Sequence, residues 1–244
     1  WGSLYDALYG SDILDDSDGA GITDSYNEKR GQKVFDFCHA WLDEVLPLET
    51  SSHSKVKEYR ITNNNGYLSL EVFLTDNNST FIMHPQQLCA YNKEPQVLLF
   101  KHNDLYFELH VDAENIVGKM HPAGLKDIVL ESAVTTIQDC EDSVAAVDVM
   151  DKVQVYSNWL ELIQGTLSIE MEKSGKTFSR TLNEDRAYLD STGHTFTLPG
   201  RSTMLVRNTG IHMKTDLVLT PDNEMAPEGL VDALMTVLIS MHDF

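Results

Sequence analysis

Ala133-Val-Thr-Thr-Ile-Gln138 runs without a break into Asp139-Cys-Glu-Asp-Ser143. An apolar strand candidate thus ends in three carboxylates within four residues, and a helical stretch follows at 144–164 with Trp159, Leu160 and Ile163 near its end. The same order returns later: an apolar strand over Ser202 to Asn208, then a helix over Gly229 to Ser240. A strand followed by a helix, repeated, is the building unit of a parallel α/β sheet or barrel. A barrel needs eight such units, so two cannot close one.

Outward from these units the period changes. Val34, Phe37, Cys38, Trp41, Leu42 and Val45 recur at helical spacing and predict a helix over 27–46, ended by Pro47. Residues 55–112 predict hairpins. In one, Asn63-Asn-Asn-Gly66 separates two alternating runs; in the other, His102-Asn-Asp104 does so, since Asn, Asp and Gly tolerate positive φ. Leu125, Ile128, Val129 and Ala133 predict a helix over 122–134. Leu167 to Leu182, folded about Ser174-Gly175, predicts another hairpin, and Phe196 to Leu198 a further strand.

Composition narrows the function classes. The chain has 244 residues, 42% of them hydrophobic, which is a globular composition. Its net charge of −20 excludes unspecific binding to nucleic acid or to anionic lipid, since both require a basic footprint. The local acidic cluster Asp12 to Asp18 reads as a solubility feature. No apolar run reaches the roughly 20 residues of a membrane span. Cys38, Cys89 and Cys140 are too far apart for a metal-type pair and predict reduced thiols and a cytoplasmic location. The start at Trp1 and the stop at Phe244 after an apolar stretch predict a piece of a longer protein.

Three groups of residues are chemical candidates. Asp139, Glu141 and Asp142 form a carboxylate wall suited to a cation or charged substrate; equally, they form a helix N-terminus in which Asp and Ser143 cap free N–H groups. Arg207 ends an apolar strand, where its planar fork suits a carboxylate or a developing oxyanion; the plainer reading pairs it with a neighbouring acid. Lys173 to Arg180 is basic in an acidic chain and reads as an exposed hairpin or a phosphate neighbour. His121, His194 and His212 have no metal-ligand spacing and read as structural or surface residues.

Trp1 to Gly10, Thr135 to Asp148, Leu198-Pro-Gly-Arg-Ser202, Val206-Arg-Asn208 and Pro227-Glu-Gly229 together resemble the malate synthase G family, in matching order along the chain. The resemblance implies a Mg²⁺-dependent Claisen-type condensation of acetyl-CoA with glyoxylate, giving malate and CoA, an acyltransferase reaction of the glyoxylate cycle. It implies an α+β fold: a β-rich inserted domain with two strand–helix units of an incomplete TIM (β/α)8 barrel. Residues 1–131 and 165–201 would form the inserted domain, and 132–164 and 202–244 barrel strands 2 and 3 with their helices. By the same match, Arg207 would bind glyoxylate and stabilise the enolate oxygen. Asp139 and Glu141 would be active-site acids near the metal without ligating it, and Ser143 and Arg180 would contact acetyl-CoA. The direct Mg²⁺ ligands and the general base would lie in parts of the protein outside this chain, which alone is then expected to be inactive. Gly210-Ile-His-Met213 departs from the family's commoner Gly-His-Leu-Met and puts the contacts of His212 in question. Two other readings stand beside this one: a citrate-lyase-like CoA lyase barrel, suggested by Glu141 to Val144, and a non-catalytic β-rich interaction module.

Overall fold

The computed structural model describes every residue except 65, 142–145, 174 and 243–244, and of residues 64 and 173 the backbone alone. Strand β1 (Gly2–Ser3) and helix α1 (Leu4–Tyr9) precede an acidic loop and helix α2 (Glu28–Val45). Strands β2 (Val56–Asn64), β3 (Tyr67–Leu74), β4 (Ser79–Phe81), β5 (Leu88–Asn92), β6 (Gln96–His102), β7 (Leu105–Val111) and β8 (Leu125–Leu130) follow. Then come β9 (Thr135–Asp139), α3 (Val149–Gln164), β10 (Ser168–Lys173), β11 (Lys176–Thr181), β12 (Arg186–Leu189) and β13 (Thr195–Leu198). The chain continues through β14 (Thr203–Arg207), β15 (Lys214–Leu219) and β16 (Met225–Pro227) to α4 (Glu228–Ser240). Helices and strands are mixed, an α+β arrangement in two units: Trp1–Ala133 with Arg186–Leu198, and Val134–Asp185 with Pro199–Phe244. The hairpin β10–β11, which the sequence reading groups with the inserted domain, clusters with the second unit.

The first unit is built on an antiparallel seven-stranded sheet, β1-β8-β7-β6-β5-β12-β13, and a smaller sheet β2-β3-β4. Both expected hairpins form. Asn103 and Asp104 take positive φ (49° and 65°), the backbone that a two-residue primed turn demands. Helix α2 starts where Asn27 accepts hydrogen bonds from the amides of Lys29 and Arg30. Its buried stripe is Val34, Phe35, Cys38, His39 and Leu42. The stripe is rotated from the predicted one: Phe37 is 40% exposed and Phe35 packs instead. This stripe shares one core with Leu98, Phe100, Phe107, Leu109, Leu125 and Ile128 of the large sheet and Tyr59, Leu70 and Val72 of the small one.

Residues 122–134 are not a helix. Gly124 takes φ +69° in the turn after His121, and 125–130 pair with β7 on one side and β1 on the other. The short apolar run fits either period, and two ladders of backbone hydrogen bonds decide it. The acidic loop is also more than a solvated surface. Arg30 is fully buried beneath it, donating to the carbonyls of Tyr9, Ser11 and Ala20 and to Asp16, while Lys33 pairs with Asp15. A guanidinium with several partners offsets the desolvation that an isolated buried cation would suffer.

Three buried histidines sit in this core. The Ala123 amide donates to Nδ1 of His121 (3.0 Å), so Nε2 of His121 carries the proton and donates to Nε2 of His39 (2.8 Å). His53 donates through Nε2 to the Leu46 carbonyl and accepts from the Tyr59 hydroxyl. Burial holds all three below the usual imidazole value, His121 down to about 3. With the folded value below the unfolded one of 6.5, the unfolded chain takes up the proton first. Their contribution is therefore present above 6.5 and lost as pH falls. His121 alone is expected to cost about 2 kcal/mol at pH 5, because each tenfold difference in proton affinity between the folded and unfolded chain is worth about 1.4 kcal/mol. Urea midpoints at pH 7 and pH 5, with His121→Gln flattening the difference, measure it; equal midpoints for the unaltered chain would refute it.

In the second unit β9 and β14 pair in parallel, from Thr135↔Thr203 to Asp139↔Arg207. A parallel pair needs a long crossover, and α3 lies within it. Asp148 caps α3 by accepting from the Asp151 amide, and Gly165 ends it in the left-handed region at φ +75°. The helix begins at Val149, later than the sequence suggests, and residues 144–145 of the expected helix lie outside the described residues. Tyr156 and Trp159 of α3 form a small core with Ile239 of α4, joined by Leu160, Met204, Leu217 and Met235. The hairpins β10–β11 and β15–β16 are each two-stranded. No described helix is long and apolar enough to cross a membrane.

Candidate functional site

Parallel pairing brings the ends of β9 and β14 level, so the last residues of both strands face one another in register. At that position Arg207 grips Asp139 with its fork: Nε donates to Oδ1 at 2.9 Å and Nη2 to Oδ2 at 2.5 Å. The Asp139 side chain is 11% exposed and that of Arg207 47%. The carboxylate is therefore the fixed anchor, and the guanidinium it holds still reaches solvent. Of the two sequence readings of Arg207, the structure shows the plainer one, a pairing with a neighbouring acid. A bidentate pair fixes the plane of the fork as well as its position.

The backbone reinforces this geometry independently of the side chains. The Cys140 amide donates to the Arg207 carbonyl at 2.9 Å, continuing the ladder past the strand end. The Glu141 amide donates to Asp139 Oδ1 at 3.0 Å, so Asp139 also organises the turn that follows. Glu141 is half-buried beside it. Cys140 is buried, and burial pushes its thiol above the ordinary range.

The structure brings Arg207, Asp139 and Glu141 together. Arg180 stands on a different element, the exposed ribbon, opposite Ile169 and with its guanidinium 5.9 Å from the Phe178 ring centre. Ser143 lies outside the described residues. At Gly210-Ile-His-Met213 the chain turns, the Met213 amide donating to the Gly210 carbonyl, and the His212 ring lies against Gly210 where a Cβ would stand. Among the described residues no three His, Cys, Asp or Glu side chains are grouped to hold a metal ion.

Sequence reasoning misses the polar network beneath these strand ends. Lys152 of α3 is buried with Asp232 of α4, 3.0 Å apart, and Glu228 is 2.7 Å from the same ammonium. Tyr156 donates to Asp232 at 2.5 Å, and the Thr209 amide to its other oxygen at 2.9 Å. Burial would push the Asp232 carboxyl up, but the donors from Tyr156, Thr209 and Lys152 hold it below its ordinary value. Burial likewise works against the charge of Lys152, which Glu228 and Asp232 outweigh. A signal for it does exist: Lys152 is a charge at the head of the apolar series Tyr156, Trp159, Leu160 and Ile163, on the face of α3 that is packed. Gly229 belongs to the same region. A Cβ there would collide with the Thr209 carbonyl, so only glycine lets α4 start against the loop after β14.

Residues 26–102 match the malate synthase G α-β insertion domain, a stretch from the start of α2 to the end of β6. Malate synthase G of Halalkalibacterium halodurans is 48% identical over 246 residues, covering 100% of this chain and 33% of that protein. Malate synthase G of Corynebacterium efficiens is 42% identical, covering 99% of the chain and 32% of that protein. That of Corynebacterium glutamicum is also 42% identical, with the same coverage of 99% and 32%. The chain thus spans about a third of the length of the curated relatives it matches. A citrate-lyase-like identity is not favoured by these relatives.

Proposed function

We propose that this chain, a segment belonging to the malate synthase G family, supplies the arginine that orients glyoxylate in a condensation with acetyl-CoA. In that reaction the acetyl methyl loses a proton, and the resulting enolate carbon attacks the aldehyde carbon of glyoxylate. Water then cleaves the thioester to leave malate and CoA. The observation that carries the reading is the bidentate Arg207–Asp139 pair at level ends of two parallel strands. The guanidinium is held in a fixed plane yet stays half-exposed, so it can take a carboxylate and face an oxygen on which negative charge develops. A fixed cation at developing charge lowers the barrier because it needs no reorganisation during the step. Asp139 sets the plane of the fork, and Glu141 adds a second negative group beside it.

Ser143 and Arg180 are read as acetyl-CoA contacts, the latter as a cation near the phosphate-bearing end. The segments 132–164 and 202–244 are read as strands 2 and 3 of a (β/α)8 barrel with their helices, and the β-rich unit as an insertion. Support comes from the parallel pairing and from exposed apolar side chains on these elements, such as Ile137, Leu205, Leu230 and Leu234, which neighbouring strands and helices would cover. The partner of this chain is thus the remainder of its own protein. Mg²⁺ would polarise the glyoxylate carbonyl when bound. Asp139 does not fit as its direct ligand, because both carboxylate oxygens are engaged by Arg207. A cytoplasmic setting suits the three unbridged thiols.

Full-length protein is expected to release CoA from acetyl-CoA only when glyoxylate is present, with one malate formed per CoA. Residues 1–244 alone are expected to give no turnover. Full-length protein that folds and releases no glyoxylate-dependent CoA would overturn the proposal.

A further inference from the structure

We infer that Lys152 is a positioning residue for Arg207, a buried ammonium that fastens the backbone on both sides of the Arg207–Asp139 pair. An ammonium has three N–H donors. Here the nitrogen lies 2.7 Å from Glu228 Oε1 and 3.0 Å from Asp232 Oδ1, and it donates to the Cys140 carbonyl at 3.2 Å and to Asp232 Oδ2 at 3.3 Å, with the Thr209 hydroxyl at 3.5 Å. The Cys140 contact matters most for the site. Residue 140 follows Asp139, its amide is bonded to the Arg207 carbonyl, and its own carbonyl takes both Lys152 and the Thr209 hydroxyl (3.0 Å). On the other strand, the Thr209 amide is bonded to Asp232, which Lys152 neutralises. One cation therefore controls where the chain goes directly after each of the two paired residues.

The network is not accounted for by the small apolar core alone. That core is made by Tyr156, Trp159 and Ile239, and none of these side chains calls for a charge at 152. Burying one cation and two carboxylates is seldom a gain in stability over an apolar replacement. What the charges provide is direction: the one ammonium ties Glu228 and Asp232 of α4 to the backbone just after β9. Without it the turns that follow the two strand ends lose their common tie, and a shift of about 1 Å in a positioned group can cost on the order of 100-fold in rate.

The inference rests on the condensation proposed above, and the test reads Arg207 both with and without turnover. Full-length Lys152→Met is expected to lower kcat about 10–100-fold and to raise KM for glyoxylate, with KM for acetyl-CoA little changed. Peptide mapping after treatment with phenylglyoxal, an arginine reagent, provides the activity-independent readout. Arg207 is expected to be modified several-fold faster in the variant, while buried Arg30 stays protected and Arg180 reacts at the unaltered rate. Modification of Arg30 would mark general unfolding; in that event Asp232→Asn, which keeps the shape and the acceptor for Thr209, carries the test with the same expected pattern. A variant with unaltered kcat and an unaltered Arg207 modification rate would overturn the inference. If unaltered protein shows no turnover, the condensation fails, while the modification rates still decide whether Lys152 holds Arg207.

Discussion

Full-length protein with Arg207→Ala is expected to lose on the order of 100- to 1,000-fold or more in kcat, about 3–4 kcal/mol or more of transition-state stabilisation, the scale of removing one preorganised oxyanion donor. Glyoxylate KM should rise as well, because the same fork would hold the substrate carboxylate. Arg207→Lys should recover only part of the loss: a point charge cannot grip Asp139 at both oxygens and stay in one plane. The variant should still fold. Its carbonyl, not its side chain, receives the Cys140 amide, and the Thr203–Arg207 ladder to β9 is made by backbone. Steady-state kinetics with both substrates varied measures the effect. Nearly intact turnover in Arg207→Ala would sink the catalytic role and favour a non-catalytic module.

Arg186→Ala is expected to cost about 3–5 kcal/mol of stability, the usual result of leaving a buried charge without its partner. The charge is Glu108, whose side chain is 2% exposed in the seven-stranded sheet. It accepts both Nε (3.1 Å) and Nη2 of Arg186, the Tyr188 hydroxyl at 2.5 Å and Nε2 of His110 at 2.8 Å. The Trp1 ring covers the guanidinium at 4.6 Å. Burial raises the Glu108 carboxyl, but the bonds from His110, Arg186 and Tyr188 win and hold it below the ordinary value. Glu108 thus stabilises the fold above the unfolded carboxylate range, and the contribution is lost as pH falls through its lowered folded value. Without Arg186 the balance tips, and that loss should begin at higher pH. Chemical denaturation across pH 4–8 would measure both effects. The double variant Glu108→Leu, Arg186→Met should recover most of the stability; if Arg186→Ala alone leaves the midpoint unmoved, the pair is not an anchor.

Much of this fold can be read where local chemistry and tertiary demand agree. The turn at Asn103-Asp104 is legible because its residues tolerate positive φ. The strand over Thr135–Asp139 is legible because an apolar run stops at acids. Reading fails where partners far along the chain decide. Leu125 to Leu130 carries a helix-like spacing yet pairs with strands that begin at residues 2 and 105. The two-residue β1 and the four-residue β12 have no periodicity of their own and exist only because an edge accepts them. For the site, Arg207 and Asp139 each stand out in the sequence, but their pairing depends on a register between residues 68 apart. Lys152 and Asp232 escape notice because charges in amphipathic helices usually face water; here they face inward.

Glu108 also has a history in time. Its partner Arg186 comes 78 residues later. A ribosome adding about 5–20 residues per second needs roughly 4–16 s to supply it. During that interval neither Arg186 nor Tyr188 exists to meet the Glu108 carboxylate. The first unit is thus finished out of order, its edge hairpin arriving only after residues 134–185 have been made. A pause in synthesis between these points would lengthen the wait, so the spacing of the ion pair sets the earliest moment at which the buried carboxylate can meet its partner.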